Sequence, residues 1–185
     1  MTDEFKEFQK IGRLSREIVI TEKLDGTNGL IEIGEDSSFQ IGSRTQWITP
    51  ERDNYGFARW ATEHKDELIA GLGAGRHFGE WWGQGIQRKY GLAEKRWSLF
   101  NVSKWTEARP ACCHVVPTLW RGDFDTNEIN RVLAELQVSG SIAAPGFMKP
   151  EGVVIYHAQA NVLFKKTYEK DDAGKGREPI AAASF

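Results

Sequence analysis

Cysteine is nearly absent from this chain: Cys112 and Cys113 are the only two, and they are neighbours. Adjacent cysteines rarely form a structural disulfide, so both are read as strand residues in a reducing compartment. The four histidines, His64, His77, His114 and His157, show no zinc-ligand spacing. No apolar run is long enough to span a bilayer, and no signal peptide or lipidation motif is visible; a cytoplasmic protein with no membrane partner is the expectation. Repeats and low-complexity linkers are lacking too. Charge of one sign is not in excess: 24 Lys and Arg face 26 Asp and Glu, for a net charge of −2. A generally basic coat for nucleic acid is thereby excluded, and any such surface must be a local patch. What is present is 185 residues, 40% hydrophobic, with seven tryptophans. That is enough for one domain, residues 1–185, with a real core.

Short apolar strands dominate. They are expected near Arg16–Thr21, Gly29–Gly34, Phe39–Ser43, His77–Trp82, Trp97–Val102, Cys112–Val116, Val153–His157 and Val162–Lys166. Glu35-Asp36-Ser37 predicts a hairpin turn. From Tyr55, the spacing of Phe57, Trp60, Ala61, His64, Leu68 and Leu72 predicts one helix. Asp53 or Asn54 would cap its start, and Gly71 or Gly73 its end. A second helix is expected over 126–137, with Asp125 and Glu128 at capping-box spacing and Ile129, Val132, Leu133 and Leu136 as its buried stripe. After Lys166 the chain turns polar, and about 167–185 reads as a surface tail. Many strands and few helices predict an α+β domain with mainly antiparallel sheets.

The stretch Thr21-Glu22-Lys23-Leu24-Asp25-Gly26-Thr27-Asn28 stands out. Its lysine ends a β-branched run, Ile18-Val19-Ile20, and is followed by Asp-Gly. One reading is a plain hairpin, for which Asp-Gly between apolar runs is a strong signal. The other is a nucleophile. Transfer of a nucleotide from a triphosphate to a protein needs a neutral amine, which neighbouring cations and a metal favour. It needs cations on the transferring phosphoryl group, carboxylates for metal and ribose, and an aromatic face for the base.

Each part has a candidate. Lys23 would be the nucleophile. Ser43-Arg44 ends a hairpin strand and returns an arginine to the same mouth. Phe78-Gly79-Glu80-Trp81-Trp82 holds one carboxylate in an aromatic run, costly to bury unless a partner such as a ribose hydroxyl meets it. Leu99-Phe100-Asn101-Val102 offers a ring for the base. Glu151 enters an apolar strand, and Lys165-Lys166 ends the last one. Singly, each has a plainer reading. Phe100 suits a core. Trp81 and Trp82 suit packing, with one of them able to line a groove. Glu151 suits a strand end, and the lysine pair suits an edge that blocks sheet pairing. Their order is what makes the set specific.

That order resembles the covalent nucleotidyltransferase superfamily of ATP-dependent ligases and capping enzymes. Within it, Glu22-Lys23-Leu24-Asp25-Gly26-Thr27-Asn28 and Gly79-Glu80-x-x-Gly83-x-Gly85-x-Gln87 are most similar to the ATP-dependent RNA ligase family of the nick-sealing, RNA-repair branch. The resemblance spans about residues 20–170. It implies a nucleotidyltransferase (ATP-grasp-like adenylation) domain, with sheets flanking a nucleotide cleft and a few packing helices. It implies ATP and Mg²⁺ or Mn²⁺ as cofactors and RNA as partner, as a nicked duplex or RNA–DNA hybrid. Lys23 would carry AMP, Asp25 and Asn28 would lie near the ribose and the incoming 3′-hydroxyl, and Glu22 would lie near the base edge. Arg44 would contact ribose or phosphate, Glu80 the ribose and Phe100 the adenine. Glu151 would position the metal, and Lys165, with Lys166 as the alternative, the α-phosphate.

The chain also departs from the pattern. The branch often has its two last-motif lysines one residue apart, whereas Lys165 and Lys166 adjoin and must face opposite ways in a strand. Leu163 shares the parity of Lys165, and the expectation is that Lys165 faces the nucleotide. Ser43 stands where some relatives carry lysine. The chain ends about twenty residues after the last motif, so the expectation is that no further domain grips the substrate. Gln87-Arg88-Lys89-Tyr90 and Lys95-Arg96-Trp97 form a basic–aromatic patch for RNA; a solvated charged loop is the alternative. The competing functions are a minimal DNA ligase or DNA/RNA nick-sealing ligase, and a non-catalytic RNA-binding relative.

Overall fold

Among the described residues, ten strands form two sheets, and three helices accompany them. The structure, a computed structural model, describes residues 11–106, 108–169 and 171. The strands are β1 (Glu17–Lys23), β2 (Thr27–Ile33), β3 (Phe39–Gly42), β4 (Trp47–Ile48), β5 (Gly75–Gly83), β6 (Lys95–Leu99), β7 (Cys113–Val115), β8 (Thr118–Asp123), β9 (Gly152–His157) and β10 (Val162–Thr167). The helices are α1 (Phe57–Glu63), α2 (Lys65–Leu72) and α3 (Thr126–Ser139). One sheet has the order β10-β9-β1-β8, the other β4-β3-β2-β5-β6-β7. All pairings are antiparallel except β6 with β7. The α+β class with antiparallel sheets is as expected. Among the described residues no helix is long and apolar enough to cross a membrane.

Asp25-Gly26 does not make a hairpin. It is the crossover between the sheets: β1 pairs with β8 and β9, whereas β2 pairs with β3 and β5. The hairpin expected at Glu35-Asp36-Ser37 does form, closed by Gly34 N–H donating to the Ser38 carbonyl at 2.9 Å.

The larger core lies behind the second sheet. Phe57 and Ala61 of α1 and Leu68 of α2 pack on Ile31, Trp81, Trp97 and Leu99. The single helix expected there is two. His64 sits between them at φ −102°, ψ 14°, and its ring nitrogen bonds the Trp60 carbonyl at 2.9 Å. Asp53 serves the start of α1 from three residues before the Gly56 cap, accepting from Ala58 N–H at 2.7 Å and Arg59 N–H at 3.2 Å. A second core joins Ile18, Ile20, Val153 and Ile155 to α3 through Ile129, Val132 and Leu136. Asp125 caps α3 by accepting from Asn127 N–H at 2.7 Å, while Glu128 pairs with Arg131 instead of closing the box. Cys113 opens β7, and Cys112 lies one residue before it in a turn. Most of the tail expected over 167–185 lies outside the described residues.

Candidate active site

Strand alternation decides what each sheet offers the space beside Lys23. Directly opposed residues of an antiparallel pair share a face. Lys23 opposes Gly152, Thr21 opposes Val154, and Val154 opposes Lys165. Lys23 and Lys165 therefore project from the same face of the first sheet. Val153 opposes both Glu22 and Lys166, which puts those two on the other face with Ile20, Ile155 and α3. Lys166 Nζ donates there to Asn130 Oδ1 at 2.8 Å.

Lys23 meets Glu151 across 128 residues of sequence: Nζ lies 2.6 Å from Oε2, with both side chains partly buried. Sequence reasoning placed cations around Lys23. In the structure the group it touches is a carboxylate, and Glu80 and Asp25 complete an acidic surround felt at Glu80 itself.

Glu80 ties the crossover to the second sheet. It is 9% exposed and accepts from Gly26 N–H at 3.0 Å and Asn28 Nδ2 at 3.1 Å. Burial pushes its carboxyl up to about 7, opposed by the Lys23 charge and assisted by Glu151 and Asp25. A buried carboxylate was expected to want a partner, and two are in the protein. Gly26 must be glycine here, because a Cβ would strike the Trp81 carbonyl oxygen and stand 2.8 Å from Trp82 Cβ. Asn28 and Ser98 oppose Glu80 on neighbouring strands, so they share its face. Phe100 follows β6 and continues that alternation, donating its N–H to the Phe78 carbonyl at 3.0 Å. Phe100 is 41% exposed, not core. Trp81 and Trp82 are both buried, so neither lines an open groove.

Other expected residues sit elsewhere. Arg44 is exposed in the turn between β3 and β4, where Ser43 N–H donates to the Gln46 carbonyl. The Glu22 carboxylate cannot reach a base on the Lys23 face. It is fully buried behind the sheet, accepting from Ile142 and Ala143 N–H at 2.9 and 3.0 Å, and burial holds its carboxyl above the usual range. The basic–aromatic patch loses its rings, since Tyr90 and Trp97 are buried. Gln87 and Lys89 stay exposed. Arg88 instead turns inward, with Nε 2.9 Å from Asp25 Oδ2, and Tyr90 OH accepts from Asp25 N–H at 2.8 Å. Tyr90 is expected from the sequence as a ring of the RNA patch; in the structure its hydroxyl meets the crossover after Lys23 instead.

No group of three or more His, Cys, Asp or Glu among the described residues is arranged to hold a metal alone. Glu151 does offer hard oxygen ligands at the mouth of the site. Mg²⁺ is commonly held by one or two carboxylates plus substrate phosphates and water, so this donor set fits a metal that arrives with a nucleotide.

Two sheets meeting at a lysine, with carboxylates from three separate segments around it, define a nucleotidyltransferase fold. Solved structures of the Naegleria gruberi RNA ligase share it. A lysine-to-methionine variant with AMP and Mn superposes with a TM-score of 0.61 at 20% identity, covering 83% of this chain and 50% of that one. A lysine-to-alanine variant with ATP and Mn gives 0.60 at 19%, with the same coverage. The chain thus spans about half the length of the solved chains it matches. The chain belongs to the RNA ligase family: the family model described as RNA ligase matches residues 16–167. No curated protein sequence matches it.

Proposed function

We propose that this chain is the adenylating unit of an ATP-dependent RNA ligase. The observation that carries the reading is the convergence of Lys23, Glu151, Glu80 and Asp25 at the seam of the two sheets. The Lys23 amine, once deprotonated, attacks the α-phosphorus of ATP. A nitrogen–phosphorus bond forms, the bond from phosphorus to the bridging oxygen breaks, and pyrophosphate leaves. The AMP then passes to the 5′-phosphate of RNA, and the 3′-hydroxyl of a second end displaces it to give the phosphodiester.

The residues divide the work by position. Glu80, beside Asn28, meets the ribose, and Phe100 on the same face stacks on adenine. Lys165, sharing the face of Lys23, neutralises the α-phosphate. Glu151 would hold the divalent ion, Mg²⁺ or Mn²⁺, which would supply positive charge to the phosphates; the same carboxylate accepts from the Lys23 amine, which must leave that hydrogen bond to attack. Gln87 and Lys89 are the exposed members of an RNA contact. The reading of residues 1–185 as one adenylation domain rests on the continuity of the two sheets through the shared crossover. The Naegleria gruberi structures with ATP or AMP and Mn support the choice of nucleotide and metal class.

The test is incubation with α-labelled ATP or GTP and Mg²⁺, followed by acid precipitation. Acid-stable label from ATP is expected, and sealing is then assayed on nicked RNA, RNA–DNA hybrid and single strands. No label from either nucleotide points to a binding relative. Label with sealing of DNA nicks alone points to a DNA ligase.

A further inference from the structure

The loop between β5 and β6 carries a side chain that touches three separate segments around the site. Arg88 Nε bonds Asp25 Oδ2 at 2.9 Å, its Nη1 donates to the Lys149 carbonyl at 3.3 Å, and its Nη2 lies 3.6 Å from Glu169 Oε2. Asp25 is two residues after Lys23, and Lys149 is two before Glu151. One guanidinium therefore spans both halves of the Lys23–Glu151 pair. Its planar fork of five N–H donors suits this task, since a single ammonium cannot reach several acceptors in fixed directions.

The backbone around Arg88 is built for this placement. Gln87, Lys89 and Tyr90 have φ of 43°, 61° and 51°, a left-handed region that non-glycine residues rarely adopt. Such strain persists only where surroundings over-determine it. Here Ile86 is fully buried, and the Tyr90 ring is wedged against Trp82 and Phe147 at centroid distances of 4.8 and 4.7 Å. The wedge delivers the Tyr90 hydroxyl to Asp25 N–H from the same loop.

We infer that Arg88, with Tyr90, is a positioning residue for nucleotide transfer: it fixes the Lys23–Asp25 crossover against the strand that brings in Glu151. The inference rests on the ligase reading above. Arg88 bonds Asp25, Lys149 and Glu169 and not Glu80, Phe100 or Lys165, so its loss slows the attack more than it weakens ATP binding. A displacement of a reacting group by about 1 Å can cost about 100-fold in rate.

The experiment is single-turnover transfer of label from α-labelled ATP to the full chain across ATP concentrations, with thermal melting run in parallel. Arg88→Ala is expected to lower the rate at saturating ATP at least tenfold, with the half-saturating ATP concentration within threefold of wild type. Arg88→Lys keeps the charge but not the fork, and is expected to restore part of that loss. Tyr90→Phe keeps the wedged ring, removes only the partner of Asp25 N–H, and is expected to slow transfer at saturating ATP. Gln84→Ala, exposed in the same loop, is expected to label at the wild-type rate. If Arg88→Ala does not fold, Arg88→Lys and Tyr90→Phe decide. Wild-type rates for both, or an effect confined to half-saturation, overturn the positioning role alone. Absence of label on the wild-type protein overturns the ligase reading and this role with it.

Discussion

Replacing Glu80 by glutamine should make the protein more stable at pH 8 while impairing adenylation. Glu80 is the buried carboxylate that accepts from Gly26 N–H and Asn28 Nδ2. Burial raises its carboxyl from 4.5 to about 7. A folded state that holds its proton more tightly than the unfolded chain is favoured below the unfolded value. That advantage disappears as pH rises through the folded value. At about 1.4 kcal/mol per unit of displacement, the shift is worth on the order of 3 kcal/mol, lost by the wild type between about pH 4.5 and pH 7. Glutamine has no such ionisation and keeps an oxygen for Gly26 N–H. The difference in unfolding free energy, variant minus wild type, should therefore rise with pH by a few kcal/mol and level off above about pH 8. Urea unfolding followed by the fluorescence of the seven tryptophans, at pH 5 and pH 8, measures it. A difference independent of pH would refute the reasoning, because it would mean that Glu80 ionises alike folded and unfolded. Label transfer should fall about tenfold in the same variant, since the ribose loses an ionised acceptor.

Lys165→Ala should reduce adenylation far more than Lys166→Ala, because Lys165 shares the face of Lys23 while Lys166 is engaged with Asn130; the reverse order of rates would place the nucleotide on the α3 side. Gly26→Ala should cost at least about 2 kcal/mol of stability and nearly all label transfer, as the added methyl meets Trp81 and Trp82; melting and labelling check both. Phe100→Ala should raise the half-saturating ATP concentration about tenfold and leave the melting temperature within a few degrees, since the exposed ring contributes stacking rather than core.

Much of this was legible in the sequence. Ile18-Val19-Ile20 and Val153-Val154-Ile155 are β-branched runs, and their strands stand where the pattern puts them. The weakest elements were not. β4 is two residues long, and β8, Thr118–Asp123, is a half-exposed edge strand whose place depends on pairing with β1 about a hundred residues away. The Asp-Gly signal at residues 25–26 marks a bend between the sheets, not a hairpin turn. Local chemistry asks for a reversal, but Glu80 holds Gly26 and Asn28, and Tyr90 holds Asp25, so the chain passes to the other sheet. The motif-bearing candidates Lys23, Asp25, Glu80 and Glu151 do come together in the structure, whereas the way a side chain faces was not legible. Glu22 and Lys23 adjoin in sequence and project from opposite sides of one sheet. Arg88 has the local look of a surface cation, and only the tertiary structure turns it toward Asp25.

The most direct test is where the nucleotide becomes attached. The wild-type protein, incubated with α-labelled ATP and Mg²⁺, should acquire acid-stable AMP, and peptide mapping should find it on Lys23. Lys23→Ala and Lys23→Arg should take no label while melting like the wild type, because alanine lacks the amine and arginine stays protonated. Label on another residue, or label retained in either variant, would contradict the account.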